Sequence, residues 1–100
     1  MKINKKDLIE ILSNDQNQLP LSDIQLTVNT IINTMIKTLK KGKRIEIRGF
    51  GTFSLHYRKP RIGRNPKTGA TVTINESYVP HFKPGKNLKK QVNEGTEKSI

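Results

Sequence analysis

Two stretches with apolar residues at every second position, Phe53-Leu55-Tyr57 and Val72-Ile74, are separated by about fifteen residues with no core pattern. A gap of that length inside a small domain is either a disordered loop or a ribbon that projects from the body. The Thr-rich return Thr71-Val72-Thr73-Ile74 favours paired strands, so a β-ribbon arm is expected over about residues 59–75. The run Arg61-Ile62-Gly63-Arg64-Asn65-Pro66-Lys67-Thr68-Gly69 then puts Pro66 at the tip of a basic hairpin. Asn-Pro is a common turn starter, so a rigid tip can be only a tip. The other reading is an apolar wedge, which gains nothing for folding but would unstack and kink a duplex if pushed between base pairs.

The body that carries this arm has little to build a core with. Of 100 residues, 32% are apolar, aromatic side chains are limited to two Tyr and three Phe, and there is no cysteine. A single small domain of this kind lacks the disulfide or metal staples that rescue thin cores, which leaves oligomerisation, and an obligate dimer is expected.

Local signals order the rest. Asn4 with Asp7 three residues on resembles a helix N-cap, and Leu8, Ile11 and Leu12 follow at helical spacing up to about Ser13 to Asp15. Ser22 and Gln25 form a capping-box pattern with Leu21 and Leu26 as its hydrophobic staple, predicting a second helix that ends at Gly42. Its broad stripe, which includes Val28, Ile31, Ile32 and Met35, is either an ordinary core face or a dimer seam; the thin core favours the seam. Ile45 and Ile47 alternate with Glu46 and Arg48 along a strand, Gly49-Phe50-Gly51 is the turn, and the next strand sets Phe53, Leu55 and Tyr57 inward. Tyr78-Val79-Pro80-His81-Phe82 reads as a last strand in which Pro80 demands an edge or a strand end. Pro84 suits the first turn of a terminal helix over 84–93, and the polar tail 94–100 is expected to fray. The fold class is therefore α+β: a helical base over 3–41, antiparallel sheet over 44–58 and 72–82, and the arm, in a single domain spanning 1–93.

Charge is concentrated in the centre. Of a net +11, residues 37–90 hold fifteen Lys or Arg against Glu46 and Glu76, so a polyanionic partner is indicated. Arm residues Lys59, Arg61, Arg64 and Lys67, with Arg58 at the base, suit phosphates and a narrow minor groove; a solvated charged loop is the competing reading. Lys83 and Lys86 flank a helix start that also suits phosphate. Glu46 and Arg48 form either a plain salt bridge or a guanidinium held in place at a groove. His56 and His81 have no metal-ligand spacing, and no nucleophile has a paired base, so neither an enzyme nor a cofactor is expected. The start of the chain has no apolar signal segment, and no apolar run approaches membrane length, which predicts a cytoplasmic protein. An RNA binder fits the composition but not an arm without stacking aromatics, and a polybasic membrane binder would place its cations along one helical face.

Three motifs occur in order: Arg44-Ile45-Glu46-Ile47-Arg48-Gly49-Phe50-Gly51-Thr52-Phe53, the tip Gly63-Arg64-Asn65-Pro66-Lys67-Thr68-Gly69, and Val79-Pro80-His81-Phe82-Lys83-Pro84-Gly85-Lys86. Together they closely resemble the bacterial histone-like DNA-bending family of HU and integration host factor. Ile45-Glu46-Ile47-Arg48, Leu55-His56-Tyr57-Arg58 and Tyr78-Val79-Pro80-His81-Phe82 look most like the family's beta-type integration host factor chains. The resemblance implies an intertwined dimer whose arms embrace double-stranded DNA along the minor groove, with Pro66 intercalating. It implies Arg61, Arg64, Asn65 and Lys67 in the minor groove, Glu46 and Arg48 in site preference, and Lys5, Lys83 and Lys86 on phosphates. Phe50 and Phe53 would join Val28, Ile31, Ile32 and Met35 at the dimer interface. The implied partner is an alpha-type subunit of the same family, or a second copy in a HU-like homodimer, and the implied location is the bacterial nucleoid. Two features depart from the family pattern: the return strand 70–75 has no Lys or Arg, and the tail 94–100 runs past the usual end.

Overall fold

The computed structural model describes residues 1–95. They form two compact units, Met1–Lys37 and the remainder from Thr38. The first unit opens with helix α1, Lys5–Asn14. Its capping box is complete: the Asp7 N–H donates to Asn4 Oδ1 at 2.9 Å, and the Asn4 N–H donates to Asp7 Oδ2 at 3.2 Å.

Helix α2, Leu21–Lys40, starts earlier than its sequence signal. The Asp23 and Ile24 N–H groups donate to the Pro20 carbonyl, so Pro20 stands at the cap and Ser22 lies inside the first turn. The expected Ser22–Gln25 box therefore cannot cap this helix, and Leu21 and Leu26, expected as its staple, are both exposed. At the other end, Lys43 N–H donates to Thr38 O and Gly42 N–H to Leu39 O, with Gly42 at φ 77°. This is a Schellman cap with glycine at C′, as the sequence pattern predicts.

Ile9, Ile24 and Val28 are the buried apolar residues of the first unit, with Ile32 packed against them. Val28, expected at a dimer seam, is already buried against Ile9 and Ile24 within one chain. Ile31 is exposed and Met35 half-buried. Each fully buried aliphatic side chain contributes about 1.5–3 kcal/mol, while fixing each residue costs about 1–2 kcal/mol. Three such side chains cannot hold the unit on their own.

The second unit is built on strands β1 (Ile45–Ile47), β2 (Gly51–Arg58), β3 (Arg61–Arg64), β4 (Thr71–Ile74) and β5 (Ser77–Pro84), followed by helix α3 (Lys86–Gly95). Strands β1, β2 and β5 form an antiparallel sheet in that order, and β3 pairs with β4 as a separate two-stranded ribbon. Hence β4, expected to begin the return into the main sheet, belongs wholly to the ribbon. Pro80 sits in β5, an edge strand, where a missing N–H is tolerated.

Pro84 is a correction, because it ends β5 opposite Gly51 and does not open the helix. The Gly85 carbonyl accepts from Lys89 N–H, so α3 begins at Lys86. Of the expected tail, Glu94 and Gly95 are helical and 96–100 lie outside the described residues.

Register sorts the sheet into two faces. Ile45 opposes Phe53, Phe53 opposes Phe82, Leu55 opposes Pro80 and Tyr57 opposes Tyr78, which makes one face apolar. On it, the Phe53 and Phe82 ring centroids are 4.6 Å apart and those of Phe50 and Phe82 5.2 Å. Gly51 is the close point beneath this cluster: a Cβ there would stand 2.6 Å from both the Lys83 carbonyl oxygen and the Phe82 ring. Gly51→Ala is expected to cost about 1–3 kcal/mol through overpacking, seen as a lower denaturant midpoint at unchanged slope and fixed protein concentration. A variant as stable as its parent would show that β2 and β5 separate freely at this point.

Candidate nucleic-acid interface

The ribbon is short, regular and closed by its own residues. Arg61 opposes Ile74, Ile62 opposes Thr73, Gly63 opposes Val72 and Arg64 opposes Thr71. Because Arg61 and Arg64 are three positions apart, they point to opposite faces of the ribbon. Arg61 shares its face with Gly63, Val72 and Ile74, and a Cβ on Gly63 would lie 2.9 Å from Ile74 Cδ1. The glycine makes room for that side chain.

At the tip, Asn65 N–H donates to Ala70 O at 2.9 Å, Gly69 N–H donates to Asn65 O at 2.7 Å, and Lys67 N–H donates to Asn65 Oδ1 at 2.9 Å. Gly69 takes φ 70°, a left-handed conformation that favours glycine. These bonds hold Pro66 exposed in the turn, with Arg64 and Lys67 exposed on either side. Asn65, named for a groove, has a structural task as well: its side chain shapes the tip.

The root of the ribbon brings Arg58, Lys59 and Arg61 together around a polar hollow that Asn75 and Ser77 also line. Here the Tyr57 hydroxyl donates to Glu76 Oε2 at 2.6 Å, linking the end of β2 to the segment before β5. Tyr57 is half exposed and stacks at a tilt on Tyr78, with centroids 5.3 Å apart, so its expected inward burial is not seen in the single chain.

The sheet face opposite the Phe cluster is polar and cationic. Thr52, Ser54, His56 and Arg58 of β2 share it with His81 and Lys83 of β5. Arg44, Lys83, Lys86 and Lys89 border a shallow pocket whose floor holds Thr52, Ser54 and both histidines. Sequence reasoning missed Arg44 and Lys89 as members of this patch, because only the register of β1 and the start of α3 place them there.

The expected Glu46–Arg48 pair is not formed. Strand β1 ends at Ile47, so Arg48 lies in the turn that follows. Glu46 instead pairs with Arg44 at 2.5 Å, an exposed ion pair of small worth. Arg48 lines a groove with Lys86 and Asn87 at the start of α3, and Glu46 borders the same groove. In the first unit, Lys5 Nζ donates to Asn29 Oδ1 at 2.9 Å, which orients its ammonium.

The family model for Bacterial DNA-binding protein matches residues 3–93. The chain belongs to this family. Among relatives, integration host factor subunit beta of Hahella chejuensis is 58% identical over 91% of this chain and 93% of its own length. The same subunit of Alkalilimnicola ehrlichii is 53% identical over 98% of each chain. Of solved structures, an Anabaena HU–DNA cocrystal structure superposes with a TM-score of 0.80 at 29% identity, covering 89% of this chain and 96% of that one. HU from Thermotoga maritima gives a TM-score of 0.62 at 31% identity, covering 89% and 97%. The chain is thus an architectural DNA-binding protein of the HU and integration host factor kind and not an enzyme. Among the described residues no cluster of metal-ligating side chains occurs, and no helix is long and apolar enough to cross a membrane.

The bond to the Glu76 carboxylate raises the Tyr57 phenol above its ordinary 10.0, with desolvation and nearby Tyr78 adding to the effect. The protonated phenol is the form favoured in the fold, so this contact is intact below about pH 10 and is lost as pH rises further. In a Tyr78→Phe background, ultraviolet titration of the remaining phenol is expected to show a midpoint above the ordinary value, and Glu76→Gln is expected to bring it down. An unmoved midpoint would show that the two groups do not meet in solution.

Proposed function

We propose that this chain is the beta-type half of a heterodimer that bends duplex DNA at preferred sites in the bacterial nucleoid, its partner being an alpha-type subunit of the same family. The observation that carries the reading is the paired ribbon with a braced, exposed Pro66 at its tip between Arg64 and Lys67. A proline ring held this way has no core to join, and its surroundings are cationic. Inserted from the minor groove, it unstacks a base step and kinks the duplex, an expense offset by the additional phosphates that the bend brings to the protein.

The residues then divide by task. Arg61, Arg64, Asn65 and Lys67 follow the minor groove, while Lys5, Arg58, Lys59, Lys83 and Lys86 meet phosphates. Arg48, freed from Glu46 by its place in the turn, reaches the duplex from the groove beside Lys86, and Glu46 adds to site preference from the same edge. Ile31, Ile32, Met35, Phe50 and Phe53 contribute to the dimer interface, for which the exposed apolar side chains of both units are the supporting observation. Sequence preference is mainly a matter of which steps deform cheaply, since phosphate contacts carry no sequence information.

Pro66→Ala is expected to abolish most of the bend, measured by end-to-end fluorescence transfer on a labelled duplex, with a smaller effect on affinity for random DNA. Arg64→Ala should do the reverse, weakening binding and making the salt slope shallower by about one unit. Unchanged bending in Pro66→Ala would remove the wedge assignment.

Mixing the chain with an alpha-type subunit should yield one defined heterodimer with tighter site binding than this chain alone. A chain that pairs only with itself and binds all duplexes alike would refute the heterodimer.

A further inference from the structure

His56 and His81 stack on the cationic face of the sheet with ring centroids 4.2 Å apart and planes 22° from parallel. They come together diagonally across the β2–β5 ladder, since Ser54 opposes His81 and His56 opposes Val79. Both rings are exposed, on the opposite side of the sheet from the Phe cluster and the Tyr pair.

The charged groups around the pair are nearly all cations. Arg44 and Glu46 come from the β1 side and are bound to each other, Arg58 follows His56 on β2, Lys83 follows His81 on β5, and Lys86 and Lys89 come from α3. A neutral surface ligand would gain little from such a floor. A phosphodiester gains from Arg58, Lys83, Lys86 and Lys89, and the Thr52 and Ser54 hydroxyls add donors.

We propose that His56 and His81 form a proton-linked binding site for a backbone phosphate of duplex DNA. The proposal rests on the DNA-binding reading above and adds to it a contact whose strength depends on pH. An imidazolium donates from both ring nitrogens and attracts the phosphate, whereas a neutral imidazole has one N–H and no charge. A phosphate placed against the pair favours the charged form, so binding takes up a proton from solution. The sign follows from linkage: affinity is highest at low pH and falls as pH rises through the titration of the DNA-bound pair. Because the stacked rings would repel each other if both were charged, the uptake is nearer one proton than two.

The chain contains these two histidines and no others, which makes the test clean for this subunit. Binding of the full-length dimeric protein to a labelled duplex is measured at constant ionic strength from about pH 5.5 to about pH 8, the range in which histidine ordinarily changes charge. The parent protein is expected to bind about tenfold more tightly at the acid end, the gain that follows if DNA binds the charged pair about tenfold better than the neutral one. His56→Gln with His81→Gln is expected to lack the acid gain and to keep its fold by circular dichroism and thermal unfolding. A parent affinity that does not change with pH overturns the proposal while leaving DNA binding intact, as does an equal pH slope in the double variant. Failure to bind DNA at any pH would overturn the site together with the reading on which it rests. If the double variant unfolds, His81→Gln alone, tested against the same slope, decides the question.

Discussion

The eight-residue ladder between β2 and β5 is the interaction on which the second unit depends. Its register sets Phe53 against Phe82 and Tyr57 against Tyr78 on one face, and Thr52 against Lys83 and Ser54 against His81 on the other. The same strand pairing therefore separates an apolar surface from a cationic one. It also fixes where the ribbon leaves the sheet, because β2 ends at Arg58 and β5 begins at Ser77. A slip of β5 by one residue would carry His81 and Lys83 to the side of Phe53 and take Phe82 away from it. Gly51, closed over by Phe82 and the Lys83 carbonyl, marks the end of the ladder where that register is least free to shift.

The apolar surface of both units exceeds what a lone chain can use. Ile31, Leu26 and Ile36 on α2 and Phe50 beside the sheet remain exposed, while the first unit buries only Ile9, Ile24 and Val28 among its described residues. Dimerisation fits this distribution energetically, since apolar area removed from water by a partner replaces the core that one chain lacks. Stability of such a protein is then inseparable from its concentration.

Much of this was legible in the sequence, for reasons that differ by residue. The ribbon could be read because its pattern departs from the two-residue alternation on either side, and the tip because Asn-Pro and Gly69 have few other uses. Asn4 and Gly42 were readable because caps are local chemistry. The misreadings share a cause: two local signals competed and tertiary structure chose. Pro84 suits both a helix start and a strand end, and the ladder to Gly51 claimed it. Ser22 offered a hydroxyl cap, but the Pro20 carbonyl already served the first turn. Arg48 alternated correctly with Ile47, yet β1 stopped one residue short of it, and Arg44 took Glu46. The stacking of His56 on His81 could not be read at all, since a diagonal contact exists only once the register is known.

The bonding within the tip has a kinetic consequence. Asn65 uses its N–H, its carbonyl and its side-chain oxygen to close the loop before any other molecule arrives. The loop therefore meets a duplex already ordered, and little conformational entropy is left to lose there on contact. If the tip kinks DNA as proposed, most of the barrier lies in the nucleic acid, in the opening of a base step. Under the proposed wedge role of Pro66, the pace of insertion would follow how readily the duplex breathes at that step, and flexible pyrimidine–purine steps would accept the ring soonest.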